Sequence, residues 1–332
     1  MIVYLQEHKL FSGVLFCSVA FLCGGLVGLW LTQTYLYHPP CQSKLVFINK
    51  SIACGEKNVI GKTNYTDFQV TIASYIATEK GKGNVSDVGV YFRDLNNGPV
   101  FSISESEDFS PASLLKLPLA FVFFNIAEKD GTILNQSVSY TDIQSPETQT
   151  FAPTVSAKPN TPYSIETLIS NMLTYSDNIS YQMLVKYLNG QPSGSDQINQ
   201  TFQDLGIIDP RADAQNTVTV RGYASLFRLL YNASYLNADD SEKILSWLSH
   251  SDFDVGLVAG VPKGIIVAHK FGEREIMGSV SIDQLHDCGI VYYPGNPYEL
   301  CVMTRGVDIK KLPSIISTIS SMVYKEVDSR KL

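Results

Sequence analysis

Apolar positions follow three patterns along the chain: one unbroken run, several stretches at helical spacing, and several that alternate. The unbroken run is "FSGVLFCSVAFLCGGLVGLWL", Phe11 to Leu31, which carries no charge. That length suits a bilayer span. Trp30, Tyr35 and Tyr37 lie where an interfacial aromatic belt would sit. Lys9 precedes the span and Lys44 follows it at a distance, which favours an N-terminus inside. The competing reading is a cleaved signal peptide. Its apolar region is usually shorter, and no small-x-small cleavage site follows this one. The expected organisation is a cytoplasmic segment 1–10, an anchor 11–31, a juxtamembrane linker 32–64 and one folded domain 65–332.

Helical and alternating patterns divide that domain. "DFQVTIASYIATEKGKGN" (67–84) reads as an amphipathic helix ended by glycine. "VGVYFRDL" and "VFSISE" read as strands around Asn96-Asn97-Gly98, a hairpin signal. Helical patterns follow at 110–121, at 164–175 with Ser164 and Thr167 as candidate caps, and in "SYQMLVKYL", "QINQTFQDLG", "VRGYASLFRLLY" and "DSEKILSWLSH". Strands return in "IIVAHKFG", "GSVSIDQLHDCGIVYY" and "YELCVMTRG", before a last helix, "IKKLPSIISTISSMVYKEV". Strands on both sides of a helical block predict an antiparallel sheet whose first and last parts pair across an inserted α lobe.

Composition narrows the function. With 45% apolar and 17% charged residues, the 332-residue chain can bury a sizeable core. A net charge of −7 with no basic, aromatic-interleaved patch argues against nucleic acid as partner. Cys17 and Cys23 fall in the apolar run, where thiols behave as small apolar groups. Cys288 and Cys301 flank a second hairpin pattern and are expected to pair, as are Cys41 and Cys54. Such bridges would place the domain outside the cytoplasm. The spacing does not suit zinc, and His286 is the only imidazole near a cysteine pair.

The chemistry starts from "SPASLLKLPLAF" (110–121). Ser110 is expected to cap this helix and Pro111 to occupy its first position. Ser113 and Lys116 then share one face, three residues apart. Free backbone N–H groups in the first turn favour a group that becomes anionic. Two further words lie downstream: Ser176-Asp177-Asn178 between two helices, and Lys270-Phe271-Gly272 in a strand. In this order, "SLLKLPLA", "YSDN" and "VAHKFGE" resemble the Ser-x-x-Lys, Ser-Asp-Asn and Lys-Thr-Gly set of class A β-lactamases and penicillin-binding serine hydrolases. The resemblance covers about residues 65–325.

That resemblance implies an α/β fold, a β-lactamase/transpeptidase-like sandwich of a five-stranded antiparallel sheet and an all-α lobe with the active site between them. By matching position, Ser113 would be the acylated nucleophile, Lys116 its proton partner and Ser176 the relay to the leaving amine. Asn178 would bind the substrate's amide side chain. Lys270 would border the cleft and favour an anionic substrate. The amides of Ser113 and of Glu273, just after Gly272, would hold the oxyanion. No cofactor or metal is implied, and the chain is expected to act as a monomer. Asp177 would orient its loop through backbone hydrogen bonds, and His269 would face away from the site.

Two departures stand out. Phe271 occupies the place of a threonine whose hydroxyl would bind a substrate carboxylate. The segment 203–217 holds Asp204, Asp209 and Asp213 but no glutamate to activate a deacylating water; Asp213 is a weak substitute. The reading is a membrane-anchored, extracytoplasmic class A β-lactamase-like serine hydrolase with slow deacylation. The alternatives are a D,D-peptidase acting on peptidoglycan stem peptides and a non-catalytic module that binds such peptides.

Overall fold

The structure is a computed structural model. It describes residues 25, 44–54, 64–96, 98–143, 149–207, 217–276 and 282–330. The apolar run 11–31 lies outside these except for Gly25, as do Cys41 and the side chain of Cys54. Among the described residues, no helix is long and apolar enough to cross a membrane.

One compact unit spans Leu45–Leu332. Its elements are α1 (Lys50–Cys54), α2 (Thr66–Gly81), β1 (Asp87–Asp94), β2 (Val100–Ile103), α3 (Lys116–Ala127), the short pair β3 (Ser137–Val138) and β4 (Tyr163–Ser164), α4 (Ile165–Thr174), α5 (Asn178–Asn189), α6 (Gly194–Asp204), α7 (Val220–Tyr231), α8 (Ala238–Leu248), β5 (Val267–Ile276), β6 (Ile282–Val291), β7 (Tyr298–Gly306) and α9 (Leu312–Ser329). The main sheet runs β2-β1-β7-β6-β5, antiparallel throughout. The expected closure across the helical lobe is the β1–β7 ladder, in which Val90 faces Val302.

The sheet is covered on both faces. Alternating side chains explain how. Val88, Val90 and Phe92 pack with Ile72 and Ile76 of α2 and with Ile315, Ile316 and Ile319 of α9. Tyr91, Cys301 and Met303 face the helical lobe with Tyr223 and Phe227 of α7. At the lobe's centre α3 is apolar nearly all round, and Leu117 through Phe124 are all buried. Such a helix belongs in a core. Pro118 sits in its first turn, where a missing N–H costs nothing.

The folded unit begins before residue 65, which the expected boundary did not foresee. Ile48 is 1% exposed and joins the lobe core. The amides of Val46, Phe47 and Ile48 donate to the Glu242 carboxylate, and the Tyr292 hydroxyl donates to the Phe47 carbonyl at 2.9 Å. Residues 45–54 are thus part of the body rather than of a linker. Cys288 and Cys301 face each other in the β6–β7 ladder and are disulfide-bonded.

Candidate active site

Ser113 lies in a 3₁₀ turn, Ala112–Leu115, that runs directly into α3. Ser110 does not cap it, contrary to expectation, because its polar atoms are tied to the sheet instead. Its N–H donates to the Gln284 side chain at 2.9 Å. Its carbonyl lies 2.9 Å from His286 Nε2, and its hydroxyl accepts from Arg274 at 2.9 Å. Tyr223, fully buried, donates to the Leu114 carbonyl at 2.9 Å. Four side chains from β5, β6 and α7 thereby fix the turn that carries the nucleophile candidate. Ala112 adopts φ 47°, a left-handed conformation costly for a residue with a side chain. Tethering on both sides holds it there.

Burial sets the charge state of His286. Its pKa is pushed down to about 4, mainly by desolvation. A carbonyl can only accept, so Nε2 carries the proton, while Nδ1 accepts from the Thr304 amide at 3.3 Å. Gln284, His286, Tyr223 and Arg274 carried no sequence signal of this role. Their partners are distant in the chain and are brought close only by the sheet.

Lys116 opens α3 at 2% exposure. Its Nζ is 3.0 Å from Ser113 Oγ, 3.0 Å from Ser176 Oγ and 2.6 Å from Asn178 Oδ1, and it also contacts the Ser176 carbonyl. Desolvation lowers its pKa to about 7, against a smaller opposing pull from Asp177 and Glu273. Ser176 is buried at the α4–α5 junction with φ 53°. Lys270 reaches the same hydroxyl from β5, at 2.8 Å. Its pKa is driven well down, first by burial and then by the nearby Lys116.

Asp177 orients the junction as expected. It caps α5 by accepting from the amides of Ile179 at 3.1 Å and Ser180 at 2.9 Å. It also accepts from Ala157 N at 3.0 Å and from the Ser156 hydroxyl, which ties in the facing loop. His269 is buried away from Ser113, its Nδ1 2.7 Å from Asp287, in line with a packing role.

The structure therefore gathers Ser113, Lys116, Ser176, Asn178 and Lys270 around one point. Gly272 packs against the Ser113 turn, where a Cβ would meet Leu114 and the Pro111 carbonyl at 3.0 Å. The Ser113 amide lies in a first turn and so has no intrahelical acceptor. Glu273 is on β5, the free edge of the sheet. Its side chain, which the sequence did not single out, accepts from the amides of Thr150 and Phe151, each at 3.1 Å. Asp209 and Asp213 lie outside the described residues; Asp204 is bonded to Gln200 at 2.7 Å. No metal-binding cluster occurs among the described residues.

A family profile described as the beta-lactamase enzyme family matches residues 70–327. The chain belongs to this family. It is a serine hydrolase of the class A β-lactamase type. It is 24% identical to a beta-lactamase of Bacillus licheniformis over 255 residues, 73% of this chain and 79% of that one. It is equally 24% identical to beta-lactamase VEB-1 of Pseudomonas aeruginosa over 226 residues, 64% and 75% of the two chains. PBP-A superposes with a TM-score of 0.66 at 24% identity, over 81% of this chain and 98% of its own. A class A beta-lactamase from Mycobacterium abscessus gives 0.64 at 21%, over 77% and 99%. These likenesses agree on the sandwich fold with its antiparallel sheet and helical lobe.

Proposed function

We propose that this β-lactamase-family enzyme is anchored by residues 11–31, works outside the cytoplasm, and forms an acyl-enzyme on Ser113 with β-lactams or related amides. The observation that carries the reading is the 3.0 Å contact between Ser113 Oγ and a lysine amine whose pKa burial brings to about 7. Near neutral pH about half of such amines hold a free lone pair. Lys116 Nζ takes the Ser113 proton as Oγ bonds to the substrate carbonyl carbon. The oxyanion so formed is held by backbone amides. When the intermediate collapses, the C–N bond breaks and the nitrogen takes the Ser176 hydroxyl proton. Lys116, 3.0 Å away, returns its proton to Ser176. Lys270, also bonded to Ser176, steadies the negative charge that builds on that oxygen.

Deacylation is the slow step in this reading, since no glutamate lies in 203–217. The same absence favours a second reading, a D,D-peptidase that acts on peptidoglycan stem peptides. A mutant of PBP-A, whose fold this chain shares, has been captured as a penicillin G acyl-enzyme. Intact-mass measurement after incubation with penicillin tests the shared first step. One adduct is expected, lost in Ser113→Ala. An adduct that survives that substitution would sink the assignment.

A further inference from the structure

The charge on the open side of the cleft bears on which acyl donor fits, and the inference rests on Ser113 being the acyl acceptor. β5 is the sheet's free edge. Residues two apart on a strand share a face, so Phe271, Glu273 and Glu275 line one side of it. Phe271 is 2% exposed and stacks on Phe253, ring centroids 4.1 Å apart, with Phe151 edge-on at 6.3 Å. No hydroxyl is offered there. Glu273 is half-buried, and burial raises its pKa, but both its oxygens accept backbone N–H bonds from Phe151 and Thr150 that oppose the rise, an acceptor-only arrangement that suits the ionised form. The Thr150 hydroxyl also donates to Glu275. These bonds hold residues 150–151 against the β5 edge.

Among the described residues no lysine or arginine forms an ion pair with these carboxylates, and Glu273 lies near enough to Lys116 and Lys270 to offset their charge. Lys270 is 1% exposed, and its Nζ is spent on Ser176 Oγ and the Phe271 carbonyl, each at 2.8 Å. Lys116 points inward at Ser113 and Asn178. Arg274 lies on the opposite face of β5 and donates to Ser110. An anionic group brought to this side meets two carboxylates, and the buried Phe271 ring offers it no hydrogen bond.

We infer that Glu273 and Phe271 set the specificity of the site: they favour acyl donors whose leaving portion is uncharged or cationic beside β5, and slow, without excluding, donors with a carboxylate there, penicillins and cephalosporins among them. Two benzoylglycyl thioesters test this, one of mercaptoacetic acid and one of mercaptoacetamide. They share the acyl group and the leaving sulfur, and differ only in a carboxylate against a carboxamide. Thiol release gives kcat/KM for each. The wild-type protein is expected to prefer the carboxamide by about tenfold, near the effect of one poorly screened charge. The preference should shrink as ionic strength rises from about 0.01 M to 1 M, which shortens the Debye length about tenfold; a purely steric wall would not respond. Glu273→Gln should shift the ratio about tenfold toward the carboxylate, and Phe271→Thr should shift it in the same direction. A wild-type ratio near one, or a preference insensitive to both salt and Glu273→Gln, overturns the inference. Should a variant fail to fold, the wild-type salt series decides. If neither thioester acylates Ser113, the assignment of Ser113 as acyl acceptor falls and takes this inference with it, a result distinct from acylation without selectivity.

Discussion

Gly272 lies so close to Leu114 that a methyl group on its Cα would sit 3.0 Å from Leu114 Cγ, 3.1 Å from Leu114 N and 3.0 Å from the Pro111 carbonyl. The edge strand and the Ser113 turn can approach this closely only because that side chain is missing. Gly272→Ala must push the turn away by a few tenths of an ångström. A displacement of about 1 Å can cost about 10²-fold in rate, so acylation should fall about tenfold. The fold should survive, because the strand is otherwise unaltered. Adduct formation against time, with circular dichroism as control, checks this. Unchanged acylation would mean that the turn's placement does not limit the reaction.

Much of this was legible in the sequence. Ser113, Lys116, Ser176, Asn178 and Lys270 were readable because each motif is local, a helix start or a junction with its own spacing. The pairing of the sheet's first and last parts followed from strands placed on both sides of a helical block. What could not be read depends on register between distant segments. Ser110 looks like a cap from its neighbours, yet Gln284, His286 and Arg274 outcompete the helix for its polar atoms. Ile48 looks like linker until Glu242 collects the amides around it. The Glu273 side chain acquires a role only when Thr150 and Phe151 arrive from elsewhere in the chain.

Lys116 gives the pH dependence its sign. Burial lowers its pKa from the ordinary lysine value to about 7, and only the neutral amine can take the Ser113 proton. The acylation rate should therefore rise as pH passes through about 7 and level off above it. Lys116→Arg should abolish the rise, since a guanidinium stays protonated throughout. The measurement is the pre-steady-state adduct rate from pH 5 to 9. A profile that is flat across that range would show that Lys116 is not the base.

The Cys288–Cys301 bridge joins paired positions on β6 and β7, deep in the lobe-facing core. If the domain lies outside the cytoplasm, protein isolated from the cell envelope should carry this bridge fully formed. Non-reducing peptide mapping should recover the two cysteines as one linked peptide pair. Cys41 and Cys54 should be recovered linked as well, as their local spacing beyond the apolar run leads us to expect. Free thiols at all four positions would count against both the bridges and the extracytoplasmic location.

Acylation should outrun deacylation. The groups for attack and proton relay already converge: Lys116 Nζ touches Ser113, Ser176 and Asn178, and Lys270 shares the Ser176 hydroxyl. Hydrolysis of the acyl-enzyme needs something more, a base that can deprotonate a water beside the ester carbonyl. A well-placed general base contributes about 10²–10⁴-fold to such a step. Between Gln203 and Thr217 the chain offers aspartates but no glutamate, and Asp204 is engaged with Gln200. An acyl-enzyme should thus accumulate, giving a burst near one equivalent and then slow turnover. Stopped-flow hydrolysis of a chromogenic cephalosporin reads both phases, and intact mass during the slow phase should show Ser113 acylated. Rapid steady turnover with no burst would mean that another group, with Asp213 the first to test by Asp213→Asn, activates the water.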